Sequence, residues 1–209
     1  MKKQYAIVVE LDRCIGCRGC QVACKFENDI SLGASRNHTY TMGPVGSFPK
    51  LSMYFLTLMC QQCENPACES VCPTGACYKS EEDGIVRIDP ELCIGCKSCQ
   101  KVCPYHANNF NPEKRIMDKC DLCEASREAG EIPACIKNCA GAALHFGDIN
   151  DPESKVSQLL AANEGYVFTL KDETGVNPSG RFILRREPWI EELPHVFEKM
   201  LQEGNGNVR

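Results

Sequence analysis

The sequence predicts an α+β chain built from two small interleaved units and a short C-terminal extension. Three observations carry that expectation. Of the 209 residues, 17 are cysteines, and all but one fall into four blocks of four. A short apolar run of strand character precedes each block. Blocks two and three stand only 20 residues apart, close enough for one compact unit, which leaves blocks one and four to flank it. Hydrophobic residues make up 43% of the chain, a figure that counts the cysteines. Without them about 35% remains, thin for a fold held by apolar burial alone. The net charge of −5 argues against a nucleic-acid partner bound through a broad basic face.

Block one is Cys14-x2-Cys17-x2-Cys20-x3-Cys24, and block two is Cys60-x2-Cys63-x4-Cys68-x3-Cys72. Block three is Cys93-x2-Cys96-x2-Cys99-x3-Cys103, and block four is Cys120-x2-Cys123-x11-Cys135-x3-Cys139. Proline follows Cys72 and Cys103. A disulfide framework fits poorly, because the cysteine count is odd and no secretion signal is apparent. Zinc suits the paired C-x2-C hooks of blocks two and four but not the three evenly spaced thiols of blocks one and three. The C-x2-C-x2-C-x3-C-P run is the bacterial ferredoxin signature, in which the fourth cysteine ligates the neighbouring cluster. Three thiolates on one loop wrap three corners of a cubane, and Gly16 and Gly95 leave amides free to face its sulfides. The fourth cysteine is expected to start a helix that leads to the next cubane. Sixteen thiolates supply four [4Fe–4S] clusters. The longer gaps in blocks two and four are tolerable, since loop closure costs grow slowly with length. Cys77, left over, reads as a small buried residue rather than a ligand.

The strands expected before the blocks are residues 6–10, 54–58, 84–88 and 114–117, and the apolar run 51–60 is a strand within a folded unit. A hairpin turned at Asp83-Gly84 separates blocks two and three. A second, running from 106 to 117 and turned around Asn111-Pro112-Glu113, separates blocks three and four. Segment 28–50 has no clear period and reads as a long loop, which either docks on a partner or covers the chain's own clusters. A helix over 151–162 would be capped by Asp151 with Pro152 in its first position. Strands follow at 166–170 and 181–184, a partly helical apolar stripe at 188–201, and a frayed tail at 204–209.

With exchange of the fourth cysteines, one cluster takes Cys14, Cys17, Cys20 and Cys139, and its neighbour takes Cys120, Cys123, Cys135 and Cys24. A third takes Cys60, Cys63, Cys68 and Cys103, and the last takes Cys93, Cys96, Cys99 and Cys72. Sequential pairing, one with two and three with four, is the alternative. The expected outer ferredoxin-like unit spans 1–50 and 104–146, the inserted unit 51–103, and the extension 147–209. Each oxidised cluster with its thiolates carries about −2, taking the loaded chain to about −13. Arg13, Arg18, Lys25, Lys97, Lys101, Lys119 and Lys137 lie among the ligands and would offset that charge.

The four blocks in this order, the x11 gap, Cys72-Pro-Thr-Gly-Ala76 and the segments 147–160 and 174–184 resemble one family over residues 4–185. It is the iron–sulfur electron-transfer (beta) subunit of the dimethyl sulfoxide reductase family of molybdopterin oxidoreductases. The resemblance implies a double-ferredoxin fold, four clusters, the one–four and two–three pairing, and a large catalytic partner carrying a molybdenum or tungsten bis-pterin centre. Some relatives lack a block-three ligand, whereas Cys93, Cys96, Cys99 and Cys103 are all present here. The long C-terminal membrane-associated helix of some larger relatives is not expected, which leaves room for a separate membrane anchor subunit.

The protein would then be a non-catalytic relay of single electrons, with a free-standing polyferredoxin as the alternative. No apolar stretch reaches the 18 residues of a membrane span. Glu10 and Asp12 interrupt the only signal-like run. The expected location is the cytoplasm, or the periplasm by co-export with a signal-bearing partner. His38, His106, His145 and His195 are scattered and read as surface or satisfied polar residues. No dinucleotide, P-loop or nucleophile-elbow motif is present.

Overall fold

A computed structural model describes residues 2–185 apart from 171 and 173. Among these residues four short sheets and six short helices surround the cysteine loops, a mixed α+β arrangement. The strand β1 (Tyr5–Glu10) is buried on both faces, as its unbroken apolar run requires. It pairs antiparallel with β8 (Leu144–Asp148) and parallel with β10 (Arg181–Ile183), to which β9 (Val167–Phe168) adds. The helix α6 (Lys155–Ala161) seats Val156 against Val8 and Ile183 on one side of this sheet. Its cap is Ser154, whose Oγ accepts from the Ser157 amide, and not the expected Asp151. Asp151 instead closes the preceding turn by accepting from the Glu153 amide, so Pro152 lies in that turn and the helix starts later.

The segment expected as an irregular loop holds an eleven-residue strand, β2 (Asn37–Ser47), paired antiparallel with β3 (Lys50–Met59). A bulge between Met42 and Val45, at Gly43-Pro44, breaks the alternation that would have betrayed the strand. The near end of this hairpin covers a cysteine loop, while Phe48 and Leu51 at its turn are exposed. Two smaller hairpins match expectation. These are β4 (Cys77–Lys79) with β5 (Val86–Ile88), and β6 (Asn109–Asn111) with β7 (Ile116–Asp118). The strand expected over 166–170 shortens to β9.

The remaining helices are α1 (Gly19–Glu27), α2 (Ala67–Ser70), α3 (Ser98–Val102), α4 (Glu124–Glu128) and α5 (Ala134–Lys137). Helix α1 packs on α5 and α2 packs on α3. The central core joins Ile7, Val9, Leu56, Leu58, Ile85 and Phe182 to the thiols of Cys20, Cys120 and Cys135. Sulfur and hydrocarbon thus share one interior, as the thin apolar composition anticipates. The stripe at 188–201, the tail at 204–209 and His195 lie outside the described residues.

Candidate metal centre

The third cysteine of every block occupies the second position of a short helix: Cys20 in α1, Cys68 in α2, Cys99 in α3 and Cys135 in α5. Helices therefore begin before the third cysteine, and the fourth lies within α1 in block one and at or beyond the helix end in the other three blocks rather than starting a helix. This corrects the expected helix start and also explains the variable second gap. Whatever the loop length, the chain returns to the same turn of helix. Blocks one and three repeat each other residue by residue. Gly16 (φ +66) and Gly95 (φ +67) precede the second cysteine, and Arg18 (φ +58) and Lys97 (φ +64) follow it. Two left-handed residues flanking one cysteine wind the loop back on itself so that its thiols converge.

Cys14, Cys17, Cys20 and Cys139 line one hollow of ≈ 320 Å³, partly open to solvent. Cys72, Cys93, Cys96 and Cys99 line another of ≈ 300 Å³. Burial pushes the Cys24 thiol up to about 12, against the pull of Arg36 and with the repulsion of Cys123. Cys120 and Cys135 are raised too, by burial first and by charge on Cys24 among others. Cys63 is raised by burial, Cys60, Cys103 and Cys68, and Cys103 is pushed up to about 11 by burial, with Cys60 and Cys68 adding to it. Two hollows thus carry four cysteines each, the first drawn from blocks one and four and the second from blocks two and three.

The chemistry of these groups fits an iron–sulfur cluster. Crowded, buried thiols hold their protons unless a cation takes the protons' place. Each fourth cysteine also meets an N–H donor suited to a thiolate. The amides of Cys77, Ala107 and Ala143 donate to Cys72, Cys103 and Cys139 Sγ at 3.3, 3.5 and 3.2 Å. Asn28 Nδ2 serves Cys24 Sγ at 3.6 Å and Cys123 Sγ at 3.7 Å. The Met117 amide serves Cys93 Sγ at 3.3 Å. Thr57 and Thr39, bonded to each other across the β2–β3 hairpin, reach Cys14 and Cys20. Among the described residues no three His, Cys, Asp or Glu side chains converge on a single ion. Four cysteines instead line each of the two hollows.

The basic residues divide sharply. Lys119 is 3% exposed and lies 3.6 Å from Cys60 Sγ, although burying an unpaired ion costs several kcal/mol. Lys25 is spent on the carbonyls of Ser31 and Ala34, and Arg13 on that of Gly141. Lys97 covers the Phe110 ring, Lys137 pairs with Glu131, and Arg18 and Lys101 are exposed. Arg36, which the spacing argument misses, forks onto Asp118 at 2.8 Å and Asp121 at 2.9 Å and holds Asn28 Oδ1 at 2.9 Å. Its carboxylate partners lie more than 80 residues away, so no local pattern announces them. Of the histidines, His145 pairs with Glu10 at 2.9 Å, and burial lowers the pKa of the half-buried His38. Cys77 is buried, and its thiol donates to Cys68, which falls to about 7. Cys77→Ser keeps a donor there, so iron content should not change; loss of a cluster on iron analysis would make Cys77 a ligand.

Loops, helices and thiols of this kind define an iron–sulfur protein of the ferredoxin type. A 4Fe-4S dicluster domain matches residues 51–149, and a 4Fe-4S binding domain matches residues 11–27. The sequence is 39% identical to the B component of tetrathionate reductase from Salmonella typhimurium, covering 85% of this protein and 71% of that one. It is 40% identical to the B component of polysulfide reductase from Wolinella succinogenes, covering 85% and 93%. It is also 40% identical to the thiosulfate reductase electron transfer subunit of Salmonella typhi, covering 79% and 86%. The chain belongs to the family of iron–sulfur electron-transfer subunits of the dimethyl sulfoxide reductase type of molybdopterin oxidoreductases. No helix among the described residues is long and apolar enough to cross a membrane.

Proposed function

We propose that the protein relays single electrons through four [4Fe–4S] clusters to or from a catalytic subunit carrying a molybdenum or tungsten bis-pterin centre, without itself transforming substrate. The observation that carries this reading is the pair of hollows lined by four cysteines each, together with an N–H donor on the fourth cysteine of every block. The ligand sets are Cys14, Cys17, Cys20 and Cys139; Cys24, Cys120, Cys123 and Cys135; Cys60, Cys63, Cys68 and Cys103; and Cys72, Cys93, Cys96 and Cys99. Two interleaved ferredoxin-like units follow, 1–50 with 104–146 around 51–103, and 147–209 extends them. Support comes from the β1–β8 pairing and from the packing of α1 on α5 and α2 on α3.

When bound, each cluster supplies a one-electron site whose potential answers to hydrogen bonds, charge and burial. The protein's own residues do the rest. Four full thiolate sets leave no iron open to substrate, so the protein acts as a conduit. Cys17 and Cys96 are the exposed cysteines, one in the first set and one in the last. Electrons therefore enter and leave at these two sets and cross the Cys24 and Cys60 sets between them. A catalytic subunit docks at one end, and a second partner, a membrane anchor among the candidates, docks at the other.

Oxygen-free preparations should hold about sixteen iron and as much acid-labile sulfide per polypeptide. Cys24→Ser separates this pairing from the sequential one. It should alter the electron paramagnetic resonance signal that Cys120→Ser also alters; change confined to the signal sensitive to Cys14→Ser would refute the exchange.

A further inference from the structure

Lys119 brings a positive charge into the interior where two cysteine groups meet. Its Nζ donates to the carbonyls of Val86 and Cys120 and lies 3.6 Å from Cys60 Sγ. Cys60 opens block two and Cys120 opens block four, so the ammonium stands at the contact of the two ferredoxin-like units. Gln62 crosses the same junction. Its amide donates to the Cys120 carbonyl at 2.9 Å and its oxygen accepts from the Val86 amide at 2.8 Å. Among the described residues no carboxylate forms an ion pair with Lys119. The sulfurs of opposite charge that face it are those of Cys60, Cys68 and Cys120.

We infer that Lys119 is the positioning charge between the two inner cluster sites, favouring an added electron on either side where electrons pass from one unit to the other. The inference rests on the four-cluster reading above. Reduction makes each site more negative, and a fixed cation at the Cys60 thiol and on the Cys120 carbonyl stabilises that form in each. Shielded from water, the charge is little screened by salt. Both inner sites gain together, so neither becomes a trap or a barrier to its neighbour. One electron moves and no bond forms or breaks; the ammonium keeps its three protons, held by two carbonyl oxygens and the Cys60 sulfur. Arg18 and Lys101 cannot act in this way, because they lie in water.

The test is an anaerobic potentiometric titration, followed by electron paramagnetic resonance, of the iron-loaded full-length protein, Lys119→Met and Lys119→Arg. In Lys119→Met, the two signals that Cys60→Ser and Cys120→Ser alter should each shift at least tenfold toward the oxidised form, about 59 mV lower for one electron. The other two should stay in place, and Lys119→Arg should restore the parent values. Unchanged potentials, or an equal fall in all four, overturn the inference. Should Lys119→Met fail to take up iron, uptake by Lys119→Arg would support a required cation. Failure of both would make the position one of shape and overturn it. The parent's iron count tests the four-cluster reading and the potentials test the junction, so the two fail separately.

Discussion

Arg36→Met should destabilise the folded protein by about 3–5 kcal/mol, the usual cost of stripping a buried ion pair of one partner. Arg36 and its two carboxylates are largely shielded, at 14%, 20% and 26% side-chain exposure, so solvent screens the network weakly. Removal of the guanidinium leaves Asp118 and Asp121 facing each other with no cation. Asp121 lies within block four and accepts from the Cys123 amide, so its repulsion acts on a ligand loop. Asn28 loses the partner that orients its amide toward Cys24 and Cys123. The cluster proposed for those cysteines should therefore be the first to bleach in an anaerobic denaturant titration followed by visible absorbance. Arg36→Lys keeps the charge but not the planar fork and should lie between. A midpoint unchanged in Arg36→Met would remove the network from the account of stability.

Arg36 also marks where sequence reasoning stops. The cysteine blocks were legible because their chemistry is local: spacing along a few residues decides how thiols turn toward a cluster. The hairpin at Asp83-Gly84 was legible for the same reason, since the turn residues carry their own conformational preference. The strand β2 was not, because Gly43, Pro44 and Gly46 read as loop. Its pairing with β3 overrides that local signal, and the bulge at Gly43-Pro44 absorbs the irregularity. Lys119 was visible as a basic neighbour of a ligand, but nothing local separates it from Lys101. Burial alone does, and burial is a property of the assembled fold. The helix cap misled for a different reason: Asp151-Pro152 is a sound helix opening in isolation, yet Ser154 reaches the Asp148 carbonyl and so fixes the later start.

Gly95→Ala should cost the protein the cluster proposed for block three, about four of the sixteen iron proposed. The left-handed backbone at φ +67 carries a penalty of roughly 1–2 kcal/mol for any residue with a Cβ. Space makes the larger difference. An added Cβ would stand 2.3 Å from the Arg115 carbonyl oxygen, backbone that cannot swing aside as a side chain does. The loop must part from the β6–β7 hairpin, and the hairpin carries the Met117 amide that donates to Cys93 Sγ. Cys93, Cys96 and Cys99 then no longer converge. Gly130→Ala isolates the conformational part of the effect, because Gly130 shares the left-handed backbone at φ +79 but has nothing within 4 Å of its added carbon. That variant should lose a little stability and keep its iron. Iron analysis with electron paramagnetic resonance decides the matter. Full iron in Gly95→Ala, or equal losses in both variants, would mean that the loop's close approach to Arg115 has no part in shaping the site.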